Sequence, residues 1–150
     1  MYGLLRQLLF RVDAETIHEW ILGGTNLLEP LLRHLPPVDD PVEVAGVVFP
    51  NRVGLAAGFD KNARWIRVAE ALGFGHVEIG AVTPRPQPGH PRPRLFRLPA
   101  HKAIRNRMGF NNDGLEALKI RLQNARPRRI RVGVNLGKNA DTPLENAADD

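Results

Sequence analysis

From residue 42 onward the chain repeats one texture: short apolar runs that end on or near glycine, separated by stretches of helical periodicity. RVGLA leads into Ala57 and Gly58, HVEIG ends on Gly80, and IRVGVNLG ends on Asn135 and Gly137. Helical spacing fills the intervals near 63–72 and 115–122. Such alternation argues for parallel strands joined by crossover helices, because a parallel pair cannot be closed by a tight turn. VEVAGVVF, which precedes them, reads as a strand pair or hairpin. A (β/α)8 barrel and a doubly wound sheet share this alternation, and the texture alone does not choose between them.

In a barrel the reacting groups sit on the loops that follow the strands. Those loops are AAGFDKN, AVTPRPQPG and NLGKN. Each joins glycine to Lys, Thr or Asn, which suits close backbone approach and hydrogen bonding to a planar ligand.

The segment ahead of the strands has a different period. Leu4, Leu5, Leu8, Leu9 and Val12 recur at helical spacing, Asp13 is placed as an N-cap, and Ile17, Trp20 and Ile21 resume the pattern. Leu27, Leu28, Leu31, Leu32 and Leu35 carry it to the breaker Pro36-Pro37. Two or three short amphipathic helices are expected, packed on the rest of the chain or lying in a headgroup region with Arg6, Arg11 and Arg33 toward lipid phosphates. Arg6, Arg11 and Asp13 interrupt the apolar runs, so the segment is neither a signal peptide nor a spanning helix. The PPVDDP linker divides the chain into a helical extension, 1–40, and a β/α part, 41–150.

Composition narrows the chemistry. At 150 residues and 43% hydrophobic content the chain can bury one core. It has no cysteine, which excludes disulfides, thiolate ligands and a cysteine nucleophile. The net charge is +5, and most of the 21 Lys and Arg lie between Arg85 and Arg131, fitting an anionic partner or a solvated surface. His34, His76, His90 and His101 show no ligand spacing, so no metal is expected. Thr142, Pro143 and Glu145 form a capping-box pattern that starts a helix, and with five residues after Glu145 the chain reads as cut in mid-element.

At GLAAGFDKN (54–62), EIGAVTPRPQPG (78–89), PRLFRL (93–98), NRMGFNN (106–112) and GVNLGKN (133–139), the sequence resembles the dihydroorotate dehydrogenase family. The segment containing DAETIHEW resembles the membrane-binding extension of the quinone-linked class. The resemblance implies a (β/α)8 barrel of which this chain holds the N-terminal strands and helices. It also implies FMN, oxidation of dihydroorotate to orotate in pyrimidine biosynthesis, and a membrane quinone as final acceptor. Peripheral association with the cytoplasmic side of the cell membrane is expected, and nucleic acid is not an expected partner.

By resemblance, Ala57, Gly58, Phe59, Asp60 and Lys61 lie along FMN, with Ala81 and Asn135 also in contact. Ala81 departs from the threonine of other members, so only a backbone contact remains there. Lys61, Asn106, Arg107, Met108, Gly109 and Phe110 fall at the substrate, and His18 and Arg97 at the quinone. Asn111 and Asn112 read as turn formers. The chemistry agrees, since a planar carboxylate with an imide edge needs a cation and an amide that both donates and accepts.

The quinone-linked class uses a serine base and the soluble class a cysteine, and this chain contains neither residue. The base is therefore expected beyond Asp150, and no catalytic residue is assigned within the chain. A barrel takes about 250 residues. The 150 residues alone are expected to be inactive and poorly folded, because an open parallel sheet leaves an unpaired edge. One rival is a non-enzymatic module whose basic middle and PRPQPGHPRPR stretch engage nucleic acid or an SH3-like groove. Another is a different FMN-dependent barrel oxidoreductase, against which NRMGFNN argues.

Overall fold

The computed structural model describes residues 2–127 and 129–150; Met1 of the extension and Arg128 of the basic middle lie outside the described residues. The chain begins with helices α1 (Tyr2–Leu9) and α2 (Ala14–Leu32). Asp13 separates them as expected: its carboxylate accepts from the Thr16 N–H at 2.9 Å and from the Thr16 hydroxyl at 3.1 Å. α2 ends at Leu32, short of Pro36. It turns Glu15, Ile17 and Leu22 inward and leaves Trp20, Leu27 and Leu31 exposed. One face therefore packs while a second apolar face meets solvent. Among the described residues no helix is long and apolar enough to cross a membrane.

Strands β1 (Val42–Val44) and β2 (Val47–Phe49) form the antiparallel hairpin read from VEVAGVVF. Its turn residues Ala45 and Gly46 both have positive φ, 49° and 78°, the geometry that matches the twist of a two-residue hairpin. There follow β3 (Gly54–Leu55), α3 (Ile66–Ala71), β4 (His76–Val82), β5 (Leu95–Leu98), β6 (Ala103–Asn106), α4 (Leu115–Ala125) and β7 (Arg131–Leu136).

The three strands expected to be parallel do form one sheet, in the order β3-β4-β7, with α3 and α4 in the crossovers. β4 is central and buries Val77, Ile79 and Val82. Ile66, Val68 and Ala69 of α3, Leu118 of α4 and Leu22 of α2 join the same core, so the extension shares its hydrophobic cluster with the sheet. Full burial of a valine or isoleucine stabilises by about 1.5–3 kcal/mol, so these few side chains anchor the layers. β7 is an edge, with Leu136 exposed.

Three segments differ from a reading of the sequence, the second of them from the rival reading. β5 and β6 pair as an antiparallel ribbon that the apolar pattern did not announce. The proline-rich stretch is no free polyproline arm, because Gln87 pairs with Asn112 and the His90 N–H donates to the Met108 carbonyl at 3.1 Å. The capping box is also absent. Leu144–Asn146 is a single 3-10 turn without a side-chain cap, and the Thr142 hydroxyl donates instead to the Asp150 carboxylate at 2.7 Å.

Candidate functional site

The loops that leave β3 and β4, the end of β7, helix α2 and the β5–β6 ribbon enclose a cavity of about 800 Å³. Ala57, Gly58 and Phe59 supply part of its wall, with Ala81 and Asn135 from the neighbouring strands. The Gly58 N–H donates to the Gly80 carbonyl at 2.9 Å, and the Gly80 N–H to the Asp60 carbonyl at 3.2 Å, which stitches the first loop to β4. Gly58 has φ +97°, and a Cβ built on it meets no protein atom within 4 Å. Its backbone is therefore bare on the side where a side chain would stand, a cradle for a flat ligand. Asn135 donates to the Glu78 carboxylate at 3.2 Å.

Lys61 brings the positive charge. Its Nζ donates to Asn111 Oδ1 at 2.6 Å, and an ammonium has three donors, so this bond leaves others for a ligand. Burial, followed by the nearby charge of Arg94, holds its pKa below the ordinary lysine value; Glu15 and Glu19 act the other way. Asn106, Arg107, Met108, Gly109 and Phe110 line the same cavity. Gly109 has φ +71°, and a Cβ there would come within 2.8 Å of the His90 nitrogen. Phe110 is a non-glycine residue in the left-handed region, at φ 51°, a conformation that needs support from its surroundings. Its carbonyl accepts from Asn112 Nδ2 at 2.7 Å and from Gln87 Nε2 at 3.2 Å.

Asn112 behaves as the turn former read from sequence. It is buried, its Oδ1 accepts from the Thr83 and Gly114 N–H groups, and its Nδ2 also donates to the Thr83 hydroxyl. Asn111 departs from that reading, since it holds Lys61. Asp60 departs as well. The residue is 1% exposed, its carboxylate accepts from the Arg64 and Trp65 N–H groups at 2.8 and 2.7 Å, and it does not line the cavity. The acid organises the approach to α3, and any ligand contact of this residue is left to its backbone.

His18 and Arg97 both line the cavity. His18 Nε2 lies 2.7 Å from the Phe59 carbonyl, which can only accept, so Nε2 carries the proton. Its ring meets the Phe59 ring edge-on at 5.0 Å. Arg97 donates to the Val12 carbonyl at 2.7 Å and sits 4.7 Å from the centroid of Phe10. An adjoining cavity of about 680 Å³ is lined by Arg6, Arg11 and Lys102 as well as Arg97. Sequence reading missed Glu15 and Arg94, a buried ion pair at 2.7 Å behind the 106–110 stretch. Their separation of 79 positions gives no local signal.

Comparison with known proteins gives one consistent result. The family model described as dihydroorotate dehydrogenase matches residues 41–150. The dihydroorotate dehydrogenase (quinone) of Azoarcus sp. (strain BH72) is 54% identical over 100% of this chain, a match covering 44% of that protein. The protein of the same name from Azotobacter vinelandii is 57% identical, again over 100% of the chain and 44% of the relative. Among solved structures, that of DHODH in complex with ferulenol from Eimeria tenella superposes with a TM-score of 0.75 at 41% identity, over 92% of this chain and 39% of that one. The chain thus spans less than half the length of the curated relatives it matches.

Proposed function

This chain belongs to the dihydroorotate dehydrogenase family, and on that premise we propose that it forms the N-terminal part of a quinone-linked enzyme oxidising dihydroorotate to orotate in pyrimidine biosynthesis. The observation that carries the proposal is the cavity of about 800 Å³. It gathers residues 57–59 and 61, Ala81, residues 106–110 and Asn135, together with His18 and Arg97.

The cavity fits FMN: the bare backbone of Gly58, flanked by Ala57, Phe59 and Ala81, is the cradle, and Asn135 offers an amide. When bound, FMN supplies the acceptor for the substrate hydride. The Lys61 ammonium meets the substrate carboxylate, in a half-buried setting that strengthens the attraction. The Asn106 amide donates and accepts at the imide edge. Met108 and Phe110 give apolar cover beside it. The proton at C5 of dihydroorotate leaves to a base that these 150 residues do not contain, since they include neither serine nor cysteine.

In the same reading β3, β4 and β7 are the opening strands of a (β/α)8 barrel in the 41–150 part, and 1–40 is the quinone-access extension. His18 and Arg97 stand on the quinone side. The extension associates peripherally with the cytoplasmic side of the cell membrane. Supporting this are the exposed Leu4, Leu5, Trp20, Leu27 and Leu31 of its two helices, together with the cations Arg6, Arg11 and Lys102 that line the adjoining cavity. A salt or detergent wash of membranes tests it: detergent should release the protein, and a protein wholly in the soluble fraction contradicts it.

The function itself is tested with the full-length flavoprotein under anaerobic conditions. Dihydroorotate should bleach the flavin absorbance, and an added quinone should restore it. A yellow protein indifferent to dihydroorotate would mean a different substrate, and a colourless one no flavin site.

A further inference from the structure

Arg94 is 6% exposed and Glu15 2% exposed, and all three guanidinium nitrogens of Arg94 are bonded. Nε and Nη2 face the Glu15 carboxylate at 3.1 and 2.7 Å. Nη1 donates to the carbonyls of Pro88 at 2.6 Å and His90 at 2.8 Å. The Arg94 carbonyl in turn accepts from the Arg107 N–H at 2.8 Å, and the His90 N–H donates to the Met108 carbonyl at 3.1 Å. No side chain intervenes between the two backbones: a Cβ on Gly89 would stand 2.2 Å from the Met108 carbonyl, and one on Gly109 would stand 3.2 Å from the Gly89 Cα. A displacement of residues 88–90 is therefore passed directly to 107–109.

A buried ion pair is a weak source of stability, because desolvation offsets most of the attraction. Its fork geometry fixes direction instead. We propose that Glu15 and Arg94 are a positioning pair for the substrate stretch: Glu15, in the first turn of α2, orients the Arg94 guanidinium, which holds residues 88–90 as the template for 107–109. The inference rests on the reading of 106–110 as the dihydroorotate contact. It makes the second helix of the extension part of the framework of the substrate site, in addition to any role at the quinone or the membrane.

The test uses the full-length FMN-loaded protein and the variants Glu15→Gln and Arg94→Lys. Leu118→Ala, a core substitution away from the cavity, sets the effect of lost stability alone. The orotate Kd and the dihydroorotate KM should rise about tenfold in the first two, with flavin content and quinone KM within about twofold of wild type. Leu118→Ala should leave the orotate Kd within about twofold. Arg92→Ala should also, since Arg92 reaches the same carboxylate only from an exposed position. Should Glu15→Gln and Arg94→Lys fail to yield flavoprotein, Glu15→Asp decides, with an expected rise of about threefold. Orotate affinity unchanged in the Glu15 and Arg94 variants, or lowered equally in Leu118→Ala, overturns the positioning role. A wild-type protein that does not bind orotate overturns the functional reading as well.

Discussion

The Lys61 ammonium donates to Asn111 Oδ1 at 2.6 Å across 50 positions of sequence. Asn111 directly follows the 106–110 stretch, so one segment carries both the proposed substrate contacts and the group that aims the cation at them. Replacing Asn111 with Ala should raise the orotate Kd about tenfold, equivalent to about 1.4 kcal/mol, with flavin content unchanged. Asn111→Asp should do more harm, since it places a carboxylate where the substrate carboxylate must approach. Titration of the flavin spectrum with orotate measures both, and wild-type affinity in Asn111→Ala would remove Asn111 from the site.

The depressed pKa of Lys61 has a consequence at high pH. Burial comes first and Arg94 second among its causes. The charged form is the one that attracts a carboxylate, so orotate affinity should be full at neutral pH and fall as pH rises, beginning below the ordinary lysine value of 10.5. Lys61→Arg, charged throughout, should abolish that decline. A wild-type Kd that stays flat to pH 10.5 contradicts the assignment.

Glu15 governs the acid limit. Hydrogen bonding from Arg94, then the charges of Arg94 and Arg92, outweigh burial and hold its pKa below the ordinary 4.5. A carboxyl depressed on folding contributes stability that is complete above its unfolded pKa and is lost as pH falls through the folded one. Glu15→Gln leaves the buried Arg94 charge without its partner and should therefore lower stability by about 3 kcal/mol at neutral pH, and the gap should close as pH falls below 4.5 and Glu15 is protonated in the wild type. Thermal melts across that range decide it; a gap independent of pH would show that the ion pair is not its source.

Gly58 separates ligand crowding from damage to the fold. A Cβ there touches no protein atom within 4 Å, so Gly58→Ala meets only the strain of a positive φ, about 1–2 kcal/mol. The methyl group would project into the cavity, and flavin retention should fall by tenfold or more while the melting temperature moves by only a few degrees. Full flavin occupancy in this variant would place the ring system elsewhere.

The parts of this structure legible in sequence are those with local causes. Asp13 caps α2 through Thr16, three residues away, and HVEIG becomes the central strand because Val77 and Ile79 alternate inward between His76 and Glu78. The cavity wall was legible through family resemblance, which collected residues that composition and periodicity leave scattered. The second layer was not. Glu15 with Arg94 and Lys61 with Asn111 are joined by tertiary folding over 79 and 50 positions. Asp60 shows the opposite limit: the right loop was found, but its carboxylate is bonded to the Arg64 and Trp65 N–H groups. Thr142 had the pattern of a cap, but Leu144–Asn146 carries no side-chain cap and the Thr142 hydroxyl donates to Asp150 across eight positions.

Hydrogen–deuterium exchange on the full-length FMN-loaded protein, with and without orotate, tests most directly that residues 57–61 and 106–111 bound one ligand site. Orotate should slow exchange in peptides covering both segments and leave the β1–β2 hairpin unchanged. Protection confined to regions outside these two segments would contradict the account.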